Sequence, residues 1–318
     1  MSLAGIFASA VAPIVAIGAV GYLLGRTRGL DVDPLNTVLV YVLIPALVFH
    51  SLATTTIDGR TVLKVFAGVT AFVVAMTLLA EVAGRAAGVE EPLLSALVLE
   101  SVYPNSGNLG IPLSAFAFGA VGRSTAVLFL TAQAVLIYTH GVYVAARTDA
   151  GSRLAGVRRV FAIPLVYAVV AAVALRWLGA LPPADSNAME TLRLVGDSSI
   201  PLMLIMLGSQ LVGADLRAAL GPVSLVSVLK LLVAPAVGLT VVLALGVANT
   251  AVARVFVLEC ATPAAITPLI LVLEFGGDGE PTDLSASEFV STTVLTSTLA
   301  SMVTLTLLIA VLRSGVVL

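Results

Sequence analysis

Apolar residues in this chain come in long unbroken runs, without the strict alternation of a half-buried strand. Runs of spanning length fall at 3–24, 34–53, 62–82, 93–119, 124–145, 160–178, 193–212, 223–245, 252–276 and 287–312. A helix needs about 20 apolar residues to cross a hydrocarbon layer of ~30 Å, so each run predicts a membrane-spanning helix. A transmembrane barrel would instead show alternation over segments of about ten residues. Short polar turns separate the runs, among them Gly25-Arg26-Thr27-Arg28-Gly29, Asp58-Gly59-Arg60 and Gly276-Gly277-Asp278-Gly279. The first run lacks a preceding basic region and exceeds the apolar core of a signal peptide, so it is expected to persist as the first span. The fold class expected is an all-α polytopic membrane protein with ten transmembrane helices.

Basic residues set the expected orientation. Arg147, Arg153, Arg158 and Arg159 cluster in the central loop, the densest positive group in the chain. The positive-inside rule assigns that loop to the cytoplasm and both termini to the outside. The loop, 149–159, divides the chain into residues 1–148 and 160–318, each with five predicted helices. Five is odd, so the halves insert in opposite senses, and any likeness between them is an inverted repeat. Ile44-Pro45-Ala46-Leu47 in the second span is answered by Ile200-Pro201-Leu202-Met203 in the seventh. Val98-Leu99-Glu100 in the fourth is answered by Val257-Leu258-Glu259 in the ninth, and Phe116 to Gly119 by Leu273 to Gly276. Three matches in one order point to duplication.

The fourth and ninth runs are also interrupted. Tyr103-Pro104-Asn105-Ser106-Gly107-Asn108-Leu109-Gly110-Ile111-Pro112 holds two prolines and two glycines, and Thr262-Pro263-Ala264-Ala265-Ile266-Thr267-Pro268 is its counterpart. Such residues remove helix hydrogen bonds and free backbone polar groups at membrane depth, which is tolerable only inside protein or beside water. Paired interruptions in two inverted halves point to a transporter binding site, with half-helix N-termini aimed at an anion. Helices 4 and 9 are therefore expected to be broken and crossed, gathering Asn105, Asn108, Thr262 and Thr267. Asparagine both donates to a carboxylate and accepts from a protonated group. Isolated prolines, Pro13, Pro45, Pro164 and Pro235, read more simply as kinks that adjust packing.

Composition narrows the chemistry. The chain is 59% hydrophobic and 11% charged, too little polarity to clothe a water-soluble globule. Its net charge of −2 argues against a nucleic-acid partner. Cys260 is the lone cysteine and His50 and His140 the only histidines, so neither a disulfide framework nor a cysteine or zinc centre is expected. No metal, cofactor or catalytic residue is assigned: a nucleotide-binding G-x-x-x-x-G-K-[ST], H-E-x-x-H and G-x-S-x-G are all missing. Glu100, Glu259 and Lys230 lie within spans, where a charge costs at least about 2.5–3.5 kcal/mol. They are candidates for proton or ion coupling, set against a structural reading as a neutral or paired group in a cavity wall. His50, His140, Gln133 and Gln210 read as polar links between helices. Asp197, near the start of the seventh span, has no evident aspartate partner.

Three stretches carry a resemblance to a known family. Pro104-Asn105 with Gly110-Ile111-Pro112, Thr262 to Pro268 with Glu274-Phe275, and Ile44-Pro45-Ala46-Leu47-Val48-Phe49-His50 resemble the fourth, ninth and second helices of the auxin efflux carrier family. That family includes plant auxin exporters and microbial malate permease-like carriers. Gly21 to Arg26 and Asp197 to Gly208 are similar to its first and seventh helices. The resemblance implies a ten-helix inverted-repeat carrier in which one bundle moves against a scaffold of helices 1, 2, 6 and 7 in an elevator-like cycle, and it implies a homodimer. It places the site at Asn105, Asn108, Gly110, Pro112, Thr262, Pro263, Thr267 and Pro268. The long hydrophilic central loop of the plant carriers is absent here.

These readings converge on a secondary transporter of small organic acid anions, mono- or dicarboxylates, in the cell membrane, with the lipid bilayer as its surroundings. An inside-negative potential drives an anion outward with about 2.3 kcal/mol per charge per 100 mV, so efflux needs no co-ion. The alternatives are a sodium- or proton-coupled importer resembling the bile-acid/sodium symporters, and a non-transporting membrane sensor of the same fold.

Overall fold

A computed structural model describes residues 5, 7–55, 57–147, 164–210, 212, 221–268, 271–272 and 286–318. The central loop 149–159, Arg217, Glu274-Phe275 and the acidic stretch from Gly276 lie outside the described residues. Within them the chain is helical: α1 Ala12–Arg28, α2 Asp33–Thr54, α3 Gly59–Ala86, α4 Leu93–Val102, α5 Ser106–Ala145, α6 Pro164–Trp177, α7 Asn187–Gln210, α8 Pro222–Ala244, α9 Thr250–Cys260 and α10 Ala286–Ser314. No named strand occurs among the described residues. Six of these helices, α2, α3, α5, α7, α8 and α10, are long and apolar enough to cross a membrane. Large apolar side chains such as Leu63, Leu78, Val82 and Trp177 point outward, as lipid-facing positions do. The protein is a multi-pass membrane protein.

Helix starts follow local chemistry. The Asp58 carboxylate accepts the Thr61 hydroxyl at 2.6 Å and the Thr61 N–H at 3.0 Å, which caps α3 and holds this carboxyl below the ordinary aspartate range. Asn249 caps α9 and Ser186 caps α7 in the same manner. Prolines leave a different signature. Widened turns at Phe7–Val11, Leu39–Leu43, Ser106–Gly110 and Leu229–Val233 lie immediately before Pro13, Pro45, Pro112 and Pro235. Each proline removes a donor and crowds the carbonyl one turn back, and a local i→i+5 turn relieves both. Pro13, Pro45 and Pro235 thus adjust the course of their helices.

The long segment α5 reverses at Gly119, whose φ of 64° and ψ of −143° no other residue adopts without strain. A Cβ on Gly122 would lie 2.0 Å from the Ser114 carbonyl oxygen. Eight residues of unbroken helix would hold those positions about 12 Å apart, so residues 106–118 and 120–145 run back along each other. The boundary expected between the fourth and fifth runs falls at this reversal.

The helices sort into two packing groups. In the first, α1 lies along α7, and α2 packs on α6 and α7. Glycine permits the α1–α7 approach: a Cβ on Gly21 would sit 2.0 Å from the Ile205 carbonyl oxygen, and one on Gly208 1.9 Å from that of Gly18. In the second group α3 packs on α4, α5 and α8, α9 on α5 and α8, and α10 on α4 and α8. Both interruptions lie in this second group.

Candidate functional site

α4 ends at Val102 and α5 begins at Ser106; between them Tyr103, Pro104 and Asn105 run extended past the stretch that follows α9. The Asn105 N–H donates to the Pro263 carbonyl at 2.8 Å, and the Ala265 N–H to the Tyr103 carbonyl at 3.3 Å, around an antiparallel bridge between Pro104 and Ala264. The two breaks therefore satisfy each other. Side chains complete the accounting, because a bilayer offers the freed backbone groups no water. The Gln133 amide donates to the Pro104 carbonyl at 2.9 Å, Ser106 Oγ donates to Gln133 Oε1 at 3.0 Å, and Ser297 Oγ accepts the Ala264 N–H at 3.2 Å.

Asn105 caps the half-helix that follows. Its Oδ1 accepts the Asn108 N–H at 3.2 Å and its main-chain carbonyl accepts that of Gly110 at 2.9 Å. A backbone N–H can only donate, so the side-chain atom it meets is the oxygen. The amide NH₂ is left without a protein partner among the described residues, at a side chain buried to 7% exposure. Asn108 and Thr267 are partly exposed. Pro112 follows the widened turn Ser106–Gly110, which accommodates its missing donor. Thr262 is fully buried, and its hydroxyl donates to the Glu259 carbonyl at 2.9 Å, closing the end of α9. Pro263 and Pro268 are buried on the second break.

Glu100, Lys230 and Glu259 are all fully buried in this group. Lys230 reaches the end of α4: its Nζ donates to the carbonyls of Ser101 and Val102, each at 3.4 Å, and lies 5.8 Å from the Phe72 ring centre. A cation there answers the unpaired carbonyls and the negative end of the half-helix dipole. Glu259 lies across the crossing from α4, its Oε1 accepting the Ser114 hydroxyl at 2.5 Å. Its carboxylate rests on Gly110, where a Cβ would fall 2.1 Å from Oε2. Only glycine fits beneath it. Glu100 has no hydrogen-bond partner for either oxygen among the described residues.

Other polar residues are distributed around this centre. Tyr103 donates to the Leu136 carbonyl and meets His140 Nδ1 at 2.8 Å, while His140 Nε2 meets the Thr77 hydroxyl at 3.2 Å. Thus His140 links α3 to the first break, and Gln133 braces it from α5. His50 is buried on α2, away from the bridge. Ser114 and Ser297 carry no signal in the sequence, because serine is common in spans; their roles emerge only where the crossing brings them to Glu259 and Ala264. A cavity of about 180 Å³ is walled by Ile14 and Tyr22 of α1, Leu109 and Leu113 of α5, Leu207 of α7 and Met302 of α10. It lies between the two packing groups and is almost wholly carbon-lined.

Two interrupted helices bonded at their breaks, inside a multi-pass helical protein, define a membrane carrier. The chain matches the family described as membrane transport protein over residues 6–156 and 152–309, and it belongs to that family. This agrees with the resemblance carried by the motifs of helices 2, 4 and 9. An uncharacterized transporter of Methanothermobacter thermautotrophicus is 29% identical over 300 residues, 92% of this chain and 93% of that protein. The family and this relative are transporters, so the chain is a membrane transport protein and not an enzyme.

Proposed function

We propose that the protein is a secondary transporter that carries small organic acid anions outward across the cell membrane by an elevator-like cycle. The observation that carries this reading is Asn105. Its oxygen is spent on capping α5, and its amide NH₂ is left to donate to a carboxylate at a half-helix N-terminus. Asn108, Thr267 and the backbone around Gly110, Pro112, Thr262, Pro263 and Pro268 complete the proposed site. The apolar cavity beside it would take the body of the substrate. The first packing group, α1, α2, α6 and α7, is the scaffold in this reading, and the second is the moving carrier.

The finer architecture belongs to the same proposal. The reversal at Gly119 supports taking α4 with residues 106–118 as one broken span and residues 120–145 as the next, which favours ten spans in all. The matched glutamates and the antiparallel bridge support two inverted repeats, 1–148 and 160–318, joined by a cytoplasmic loop at 149–159 with both termini outside. The homodimer rests on the family alone. Glu259 favours a second reading, cation-coupled uptake, because its Oε2 has no hydrogen-bond partner among the described residues. Glu100 and Lys230 would then share the coupling role.

Reconstitution into liposomes with labelled mono- and dicarboxylates tests both. Outward flux that follows an imposed potential without sodium or a pH gradient is expected, with Asn105→Ala lowering it at least about tenfold, as loss of a charge-assisted bond predicts. No flux of any organic acid, or an Asn105→Ala rate equal to the parent, refutes the site. A sodium or proton requirement that Glu259→Gln abolishes selects the second reading.

A further inference from the structure

The carbon-lined cavity walled by α1, α5, α7 and α10 lies between the two packing groups. An ion pair crosses this boundary at the end where α5 reverses. Arg123 stands one turn beyond Gly119 on α5, in the second group, and its Nη1 donates to Asp197 Oδ1 on α7, in the first. The other oxygen of Asp197 accepts from Arg193 Nη1 at 3.0 Å, one turn back on the same helix. Arg193 in turn forks onto Glu190, with its Nε at 2.8 Å and Nη2 at 2.6 Å. Charges alternate from α5 across to α7 and along it.

We propose that Arg123 and Asp197 are a positioning pair, a breakable latch that sets where the second group stands against the first. The proposal rests on the reading that these groups move relative to each other. Three features suit the pair to this role. Its members belong to different groups, so a shift of α5 along α7 by more than a side-chain length separates them. Asp197 keeps Arg193 when Arg123 leaves, so the broken state holds no orphaned carboxylate. The Arg123 and Asp197 side chains are 22% and 34% exposed, and water can take over the released guanidinium. A fully buried pair would lock the groups together, because breaking it strands a charge in low dielectric. A partly solvated pair biases the equilibrium and still releases.

The test reads position directly and needs no substrate. Cys260 is fully buried, so a cysteine placed at Ala19, which lines the boundary cavity, reports access by its rate of maleimide labelling in proteoliposomes. In this background Arg123→Gln and Asp197→Asn are each expected to change the rate about threefold to tenfold in the same direction. The double variant should match either single change, and Arg123→Lys should stay near the parent. High salt should move the parent itself toward the variants, a measurement that requires no variant to fold. Equal rates in parent and variants, additive effects of the two changes, or a salt-independent parent overturn the proposal. If labelling responds as expected while no organic acid is transported, the latch stands and the transport assignment fails.

Discussion

The two packing groups hold together by opposite means. Where α1 meets α7, backbone touches backbone at Gly21 and Gly208, and hardly any polar side chain takes part. The crossing group instead buries Lys230, Glu259, Gln133, Ser106, Ser114 and Ser297 and ties its helices through them. Lipid supplies no hydrophobic drive for helix association, so close packing of small residues and hydrogen bonding are the means available. The first is insensitive to solutes, pH and salt. The second depends on charged and hydrogen-bonded side chains and is sensitive to each of them. The two groups thus differ in what their cohesion rests on.

The comparison breaks most sharply at Gly21. A leucine there would drive its Cβ into the Ile205 carbonyl, a backbone atom that cannot yield, so Gly21→Leu is expected to cost more than about 3 kcal/mol. Loss of monodisperse protein in detergent, or a large fall in thermal midpoint, is the readout; a parent-like midpoint would show that α1 and α7 are not locked. In the crossing group Lys230→Met comes next. It leaves the Ser101 and Val102 carbonyls unanswered, at about 1–3 kcal/mol of stability.

Gly110→Ala sharpens the contrast, because its obstacle is a side chain. Alone it should destabilise by about 1–3 kcal/mol. Combined with Glu259→Ala it should recover part of that loss, with a coupling of at least about 1 kcal/mol in a double-mutant cycle. No such recovery is possible for Gly21, where the obstacle is main chain. The smallest effect is expected outside both contact types, at Asp58. Its carboxyl is held below the ordinary value of 3.8 by the Thr61 hydroxyl and N–H, so its contribution is present above that value and lost as pH falls through the lowered one. Parent and Asp58→Ala should differ slightly and constantly between about pH 5 and 8, and converge below about pH 4.

Much of this was legible in the linear sequence. Apolar runs bounded by Gly, Pro and Asp gave the helices, prolines grouped with Asn and Gly marked the first break, and a pair of prolines with Thr262 and Thr267 marked the second. What could not be read is which side chain answers which freed backbone group. Lys230 meets carbonyls 128 and 129 residues earlier, and Ser297 meets an N–H 33 residues earlier. Such partners are set by tertiary approach, which leaves no periodicity. Asp197 has no aspartate partner among the described residues, and its cross-helix partner is an arginine beyond the Gly119 reversal, a pairing that only the fold brings about. The capping use of Asn105 was equally hidden: the motif proposes an asparagine for the substrate, and only the Asn108 N–H decides which end of the amide remains available.

The bridge between Pro104 and Ala264 is made by main chain alone. Nearly any residue could stand at the flanking positions without disturbing those bonds. Asn108, Ile266 and Thr267, partly exposed beside the bridge, are thus free to drift while the crossing keeps its shape. In the transport cycle proposed above, exchanging a few such neighbours would change the cargo and leave the bridge as it is. Divergence of ligand on a constant frame would then be cheap for this lineage, and an inventory of those three positions across related chains would sort them by what they carry.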